Sequence, residues 1–344
     1  MPNPILTDAI DRLVHGEDLT RAESAAVLRA VMSGESTDVE TAGFLIALRS
    51  KGETVHELAG LAETMRSFAT TVHPERRDLV DTAGTGGGRS TFNISTTAAL
   101  IAAGAGCAVA KHGNRSATSR SGSADVLEAL GARIDLTAAE VAACIDETGF
   151  GFMFAPAHHA ATRFVVPVRR ELAVRTVFNV LGPLTNPAAA KRQLVGVVDR
   201  SLIDLVAGAL AELGCEHALV VSSEDGLDEM SAAATTAVAE VRGGEVRRYD
   251  LEPADAGLDP GSESLGPGGS PEENAAVTRS VLDGTQGPRA DTAVLNAAAA
   301  IHVAGRADTL ADGVAIAREA IASGAARDTL DRYIAATHSA GAER

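Results

Sequence analysis

Residues 78–83, Asp78-Leu79-Val80-Asp81-Thr82-Ala83, run straight into Gly84-Thr85-Gly86-Gly87-Gly88, and Asn93-Ile94-Ser95-Thr96 then opens an apolar run to Ala103. A short apolar segment, a glycine turn and a run of helix formers behind small polar residues make a strand, a turn and a helix. The glycines let the backbone come close to a ligand, and the helix-start amides with Asn93, Ser95 and Thr96 suit phosphate oxygens. The turn is neither the dinucleotide fingerprint nor the lysine-bearing phosphate loop, because no Lys follows the last Gly at the required spacing. It reads as an anion cradle or as a plain structural turn.

The same texture continues on both sides. Strands are expected at 107–110, 152–155, 194–198 and 218–221, and helices at 124–130, at 202–213 and behind Thr137 with Glu140. Strands separated by helices require crossovers, which gives an α/β fold with a mainly parallel sheet covered on both faces. Residues 236–249, turning at Gly243-Gly244, read as a hairpin at the sheet edge. The stretch 253–271 reads as a loop, and the remainder of the chain is expected to be helical to near its end. Upstream, residues 3–70 read as four short helices, because Thr20 with Glu23, Thr37 with Glu40 and Thr54 with Glu57 form capping boxes ahead of apolar-periodic runs.

Composition narrows the function. The 344 residues carry 46 acidic against 30 basic side chains, a net charge of −16, which argues against whole-surface attraction to nucleic acid or anionic membranes. Eight Phe, two Tyr and no Trp leave little material for stacking on bases. Residues 5–14 are interrupted by Asp8, Asp11 and Arg12, so no secretory core is expected there, and the apolar stretch 98–110 is too short to span a bilayer. Cys107, Cys144 and Cys215 are widely spaced and form no metal-type pair, which fits a soluble, reduced, cytoplasmic protein. An anionic ligand must therefore be held by a local cluster.

Three further segments supply candidates. Lys111, His112, Gly113, Asn114, Arg115 and Ser116, then Thr118, Ser119, Ser121 and Ser123, follow the strand ending at Ala110, so they share a crevice with the glycine turn. Lys111 offers a point charge to a phosphate. The hydroxyls read equally as turn chemistry, and His112 reads as a neutral packing residue. In the segment from Pro167 to Pro187, a helix would put residues 169, 172 and 176 on one face and aim one or two arginines inward, where a planar carboxylate fits; the other reading is an Arg paired with Glu171 or solvated. Asp228 and Glu229, after the strand ending at Val221, suit Mg²⁺ carrying phosphate or form an ordinary acidic turn.

Six strings carry a resemblance. They are Gly84-Thr85-Gly86-Gly87, Thr91-Phe92-Asn93-Ile94-Ser95-Thr96, Lys111-His112-Gly113-Asn114-Arg115-Ser116, Val168-Arg169-Arg170-Glu171-Leu172, Gly182-Pro183-Leu184-Thr185-Asn186-Pro187 and Gly226-Leu227-Asp228-Glu229. In this order they resemble the anthranilate phosphoribosyltransferase family of tryptophan biosynthesis. The resemblance implies a homodimer of the nucleoside phosphorylase/phosphoribosyltransferase type, with a small N-terminal helical domain (1–72, joined by roughly 165–190) and a larger α/β domain (73–344). It implies transfer of phosphoribose from 5-phosphoribosyl 1-diphosphate to anthranilate. Gly84, Gly87, Gly88, Thr91, Asn93, Ser95, Thr96, Lys111, Ser119 and Ser123 would hold the donor. Ser95, Asp228 and Glu229 would hold two Mg²⁺ ions, and Gly84, Asn114, Arg169, His112 and Pro183 would form the acceptor site.

Departures from the family pattern are local. Gly88-Arg89-Ser90 make the donor loop one residue shorter and remove an acid, and Ala173 stands where a Gly is common. Three other readings stay open: a paralogue using another aromatic amine, a pyrimidine nucleoside phosphorylase, and a non-catalytic nucleic-acid-binding relative. The phosphorylase would not need the acidic pair, and the nucleic-acid binder should have lost both turn and pair and gained a basic surface.

Overall fold

The computed structural model describes residues 2–116, 119–259 and 265–339, so Thr118 and part of the 253–271 stretch lie outside the described residues. The chain opens with helices α1 (Pro4–Val14), α2 (Arg21–Met32), α3 (Asp38–Lys51) and α4 (Val55–Ser67). All three expected capping boxes form; the Glu23 carboxylate, for example, accepts from Thr20 N at 2.7 Å while Thr20 Oγ1 accepts from Glu23 N at 3.3 Å. Each satisfies two donors that the first turn of a helix leaves open. The third box does more: Glu57 is fully buried and also accepts from Leu19 N and Lys51 Nζ, both at 2.9 Å, which ties α4 to the start of α2 and the end of α3.

The α/β part follows as β1 (Leu79–Asp81), α5 (Ile94–Gly104), β2 (Ala108–Gly113), α6 (Ser123–Ala129), α7 (Ala138–Thr148) and β3 (Phe150–Phe154). Short α8 (Ala155–His158), α9 (Val166–Leu172) and α10 (Phe178–Leu181) lead to β4 (Arg192–Gly196), α11 (Ile203–Glu212) and β5 (His217–Ser223). The hairpin β6 (Thr236–Arg242) and β7 (Glu245–Leu251) turns at Gly243-Gly244 as expected. Four helices, α12 (Pro271–Leu282), α13 (Pro288–Val303), α14 (Leu310–Ala322) and α15 (Ala325–Ser339), complete the described chain.

These strands form one sheet in the order β3-β2-β1-β4-β5-β6-β7. Pairings are parallel from β3 through β5 and antiparallel for β5 with β6 and β6 with β7. Parallel strands need cover on both faces, and the two faces have different partners. On one face the alanine-rich helices α5 and α13 are almost wholly buried, small side chains letting them lie close to the strands. On the other, Val195, Val197, Val220 and Ala239 share a core with α11, α4 and the 165–184 segment, which joins the helical bundle to the sheet. No helix of the described residues is long and apolar enough to cross a membrane.

One expected helix ends early. Residues 169, 172 and 176 do not share a face, because α9 stops at Leu172 and Ala173 turns back with φ 52° and ψ 27°. Thr176 instead belongs to the next turn, donating its amide to Asn179 Oδ1 at 3.0 Å. The left-handed region costs an L residue about 1–2 kcal/mol, partly offset by the greater unfolded-state freedom of Gly. Ala173→Gly is therefore expected to stabilise the protein by about 0.5–1 kcal/mol. Urea unfolding checks this: the midpoint rises at constant slope, and a lower midpoint would contradict the strain.

Candidate active site

The chain leaves β1 for β2 on one side and returns to β4 on the other, so the crevice outside the carboxyl ends of β1 and β4 is the switch point where ligands of such sheets collect. A cavity of about 560 Å³ opens there. Gly84 extends the pairing across it to Gly196, and Thr85 N donates to Gly196 O at 2.8 Å. Gly87 and Gly88 are there for space. A Cβ on Gly88 would stand 2.5 Å from Asp228 Oδ1, and one on Gly87, where φ is 90°, would meet Arg175 Nη1 at 2.6 Å.

Behind the turn, Asn93 starts α5 without capping it. Its side chain instead holds neighbouring crossovers together: Oδ1 accepts from Ser121 Oγ at 3.2 Å and from Asn274 Nδ2 at 2.9 Å, and Nδ2 donates to Ser121 O at 3.2 Å. Ile94 N donates to Phe92 O at 2.8 Å, so the first-turn amides of α5 that face a ligand at the positive end of the helix are those of Ser95 and Thr96. Ser119 Oγ donates to Ser121 O, and Ser123 Oγ to Asn114 O, so the serine crossover folds back upon itself along the cavity. Arg89, the extra charge of the shortened loop, lies 3.7 Å from Asp225 and fastens the glycine turn to the acidic turn.

Lys111 forms the floor. It is 1% exposed, and its Nζ donates to Thr82 O at 2.9 Å, Thr82 Oγ1 at 3.1 Å and Ser95 Oγ at 3.3 Å. Burial brings its pKa down to about 8, against the pull of Asp81 and Glu229. Asp81 escaped the sequence reading. Fully buried at the end of β1, it accepts from His112 N at 3.0 Å, Thr82 N at 2.8 Å and Asn186 Nδ2 at 2.8 Å. It thereby sets the lysine crossover against the Pro183 segment, whose next residues are Leu184, Thr185 and Asn186.

Across the cavity, burial raises the Asp228 carboxyl, and burial with the repulsion of Asp228 raises Glu229 well above the usual carboxylate range. Lys111 and Arg175 act on the pair only through space, which leaves it short of positive charge. Hard oxygen donors from Asp228, Glu229 and Ser95 facing one cavity fit Mg²⁺. Asn296 of α13 anchors this turn by exchanging hydrogen bonds with Met230 N at 3.1 Å and Met230 O at 2.9 Å.

His112 lies at the opposite rim, 6% exposed, with its ring 5.1 Å from that of His159. Its Nδ1 faces Gly182 O at 3.2 Å and its Nε2 has no partner among the described residues. Burial pushes its imidazole down to about 3 and that of His159 to about 4, so both rings are neutral at pH 7. An unfolded His titrates near 6.5. Below that pH the unfolded chain takes protons the folded chain refuses, so this stability is present above about pH 6.5 and lost as pH falls toward 4. Urea midpoints of the wild type are expected to fall more steeply between about pH 6.5 and 4.5 than those of His112→Gln. Equal slopes would contradict a neutral, buried ring.

Gly84, Gly87, Gly88, Thr91, Asn93, Ser95, Lys111, Ser119, Ser123, His112, Asn114, Pro183, Asp228 and Glu229 all border this cavity. Thr96 and Arg169 do not. Thr96 is fully buried in α5. Arg169 stands one layer back, with Nη2 3.4 Å from Oδ1 of Asn179, which is itself at the wall. Arg175, within the 167–187 segment, donates to Gly86 O at 2.9 Å while Arg49 Nη1 of α3 donates to Arg175 O at 2.7 Å, so the helical bundle reaches the glycine turn through it.

The family models of the glycosyl transferase family match as the helical bundle domain over residues 7–69 and the a/b domain over 76–327. Anthranilate phosphoribosyltransferase of Symbiobacterium thermophilum is 53% identical over 96% of this chain and 98% of its own. The chain belongs to the anthranilate phosphoribosyltransferase family. Another relative of that name, from Polynucleobacter necessarius, is 50% identical over 96% of this chain and 98% of its own. Among solved structures, the anthranilate phosphoribosyltransferase of Thermus thermophilus superposes with a TM-score of 0.91 at 47% identity, covering 96% of this chain and 99% of that one. The Saccharomyces cerevisiae member in complex with PRPP and Mg superposes at 0.88 with 28% identity, covering 97% and 98%. The family's two parts are the bundle and the α/β body seen here.

Proposed function

We propose that the protein transfers the phosphoribosyl group of 5-phosphoribosyl 1-diphosphate to the amine of anthranilate, releasing diphosphate, as a step of tryptophan biosynthesis. The observation that carries this reading is that the glycine turn, the lysine crossover and the acidic pair, from three separate connections of the sheet, border one cavity. Relatives named for this activity span nearly the whole chain.

In this reading the amides of the Gly84 turn and of the α5 start, with Thr91, Asn93, Ser119 and Ser123, bind the diphosphate and ribose phosphate of the donor. Ser95, Asp228 and Glu229 would hold the magnesium, two ions per subunit, and when bound it would supply charge neutralisation for the departing diphosphate. Lys111 keeps Ser95 and Thr82 in place and adds positive potential beneath the leaving group. Asn114, Pro183 and Gly84 shape the acceptor side, and Arg169, reached past Asn179, takes the anthranilate carboxylate.

An aromatic amine is neutral at pH 7, so its nitrogen attacks C1 of the ribose directly. The C1–N bond forms as the C1–O bond to diphosphate breaks, and the surplus proton leaves the nitrogen for solvent. His112, with a pKa of about 3, is a poor base and serves as an uncharged wall. Placement and electrostatic stabilisation by preset donors then carry the rate.

The chain works as a homodimer in the cytoplasm in this reading. An apolar groove between α1 and α3, bordered by Ile10, Leu13 and Ala42, leaves Val14 64% and Ile46 37% exposed, which suits a second copy. Val14→Asp with Ile46→Asp is expected to halve the mass seen by sedimentation; an unchanged mass would put the interface elsewhere. Cys107, Cys144 and Cys215 are free and buried, as a reducing compartment allows.

The activity is tested by mixing protein, anthranilate, donor and Mg²⁺ and following anthranilate fluorescence, with nicotinate and other aromatic amines as parallel acceptors. Loss that requires all components and is fastest with anthranilate supports the reading. Faster turnover of another amine would make the protein the paralogue.

A further inference from the structure

Away from the cavity, His217, Glu240 and His302 bring three ligand atoms of metal-binding type within 4.8 Å of one another. His217 opens β5, and Glu240 on β6 lies diagonally beside it, since its direct partner is Leu219. His302 is in the last turn of α13. The cluster therefore sits at the amino end of β5, while the acidic turn follows its carboxyl end. Nothing in the transfer chemistry uses these three side chains.

We propose that His217 Nε2, a Glu240 carboxylate oxygen and His302 Nε2 form a three-ligand site for a divalent transition-metal ion, with Zn²⁺ the best fit and the remaining position open to water. His217 Nε2 is 2.9 Å from Glu240 Oε1, and His302 Nε2 is 4.0 Å from the same oxygen. A tetrahedral ion with bonds near 2.1 Å holds its ligand atoms about 3.4 Å apart, between those two distances, so side-chain shifts of under about 1 Å close the site.

The hydrogen bonding points the same way. His302 Nδ1 lies 2.9 Å from Ala307 O; a neutral ring that donates its N–H there turns the lone pair of Nε2 to the carboxylate. Two acceptors then confront each other at 4.0 Å, an arrangement that a bridging cation relieves. The rings of His217 and His302 meet edge to face at 5.0 Å, as two imidazoles converging on one point would. The side chains are 9%, 15% and 12% exposed in the order His217, Glu240, His302, sheltered yet reachable without unfolding. Two imidazoles and one carboxylate favour zinc-class ions over Mg²⁺, so this site and the acidic pair take different metals. Its effect would be to pin α13, which also carries Asn296, to strands β5 and β6.

The test uses the full-length protein stripped with chelator and kept in excess Mg²⁺ to occupy the acidic pair. Zn²⁺ is titrated against a chromogenic chelator, and Co²⁺ is added separately to read its visible absorption. The wild type is expected to take up one more Zn²⁺ per chain than His302→Gln or Glu240→Gln, each of which should weaken binding by at least the roughly 100-fold that loss of even an outer-shell partner can cause. Glu240→Gln keeps an oxygen for His217 and so separates loss of a ligand from loss of fold, and Asp228→Asn should bind like the wild type. Equal uptake by the wild type and both variants, or loss only in Asp228→Asn, would overturn the site.

Discussion

Arg169→Ala is expected to raise the KM for anthranilate by about 10- to 100-fold while the donor KM stays within about twofold, because a charge-assisted hydrogen bond contributes roughly 1.5–3 kcal/mol. The basis is an Arg held without a counter-charge. Burial lowers its pKa, and among the described residues no carboxylate offsets this. Among the described residues its Nε is buried without a partner, its one side-chain bond is the 3.4 Å contact to Asn179, and its guanidinium lies 5.4 Å from the centroid of the Phe178 ring. Such a group is stabilised by an arriving carboxylate, which it can grip with two parallel N–H bonds. Arg169→Lys should recover little, since an ammonium cannot make that planar pair. Steady-state kinetics with each substrate varied in turn decides the matter. An unchanged acceptor KM would remove Arg169 from the site.

A larger loss is expected of the acidic pair. Asp228→Asn combined with Glu229→Gln should lower turnover by about 10³-fold or more even at high Mg²⁺, because several kcal/mol of charge stabilisation at 1.36 kcal/mol per tenfold would be lost. The same variant should be at least as stable as the wild type. Two half-buried carboxyls whose mutual repulsion raises Glu229 well above its usual range destabilise the fold, and neutral amides remove that repulsion. Thermal unfolding beside the kinetics therefore separates lost chemistry from lost structure. Near-normal turnover would contradict the assigned role of the pair.

What could be read from the sequence was mostly local. The strand, glycine turn and helix around Gly84 follow from neighbours in the chain, as do the capping boxes of Thr20, Thr37 and Thr54. The hairpin turn at Gly243-Gly244 follows from two residues that tolerate positive φ. The break at Ala173 shows only in the resemblance, where a Gly is common at that position, because Ala itself is a strong helix former and the tertiary path of the 165–190 segment forces it into the left-handed region. Asp81 was hidden too. An acid at a strand end looks ordinary until Asn186, 105 residues on, folds back to hydrogen-bond it. Asn296 gave a faint signal, a lone amide in an alanine-rich helix, but its partner Met230 is 66 residues away. Sequence patterns carried the ligand-type residues, and long-range packing carried those that position them.

Donor and metal in one cavity is the claim on which the rest depends, and a crystal structure of the protein soaked with 5-phosphoribosyl 1-diphosphate and Mg²⁺ tests it most directly. The expected density places the diphosphate between the Gly84–Gly88 turn and the start of α5, with metal against Asp228 and Glu229 and the ribose C1 facing Asn114. Donor density away from the glycine turn, or metal bound without contact to either carboxylate, would contradict it.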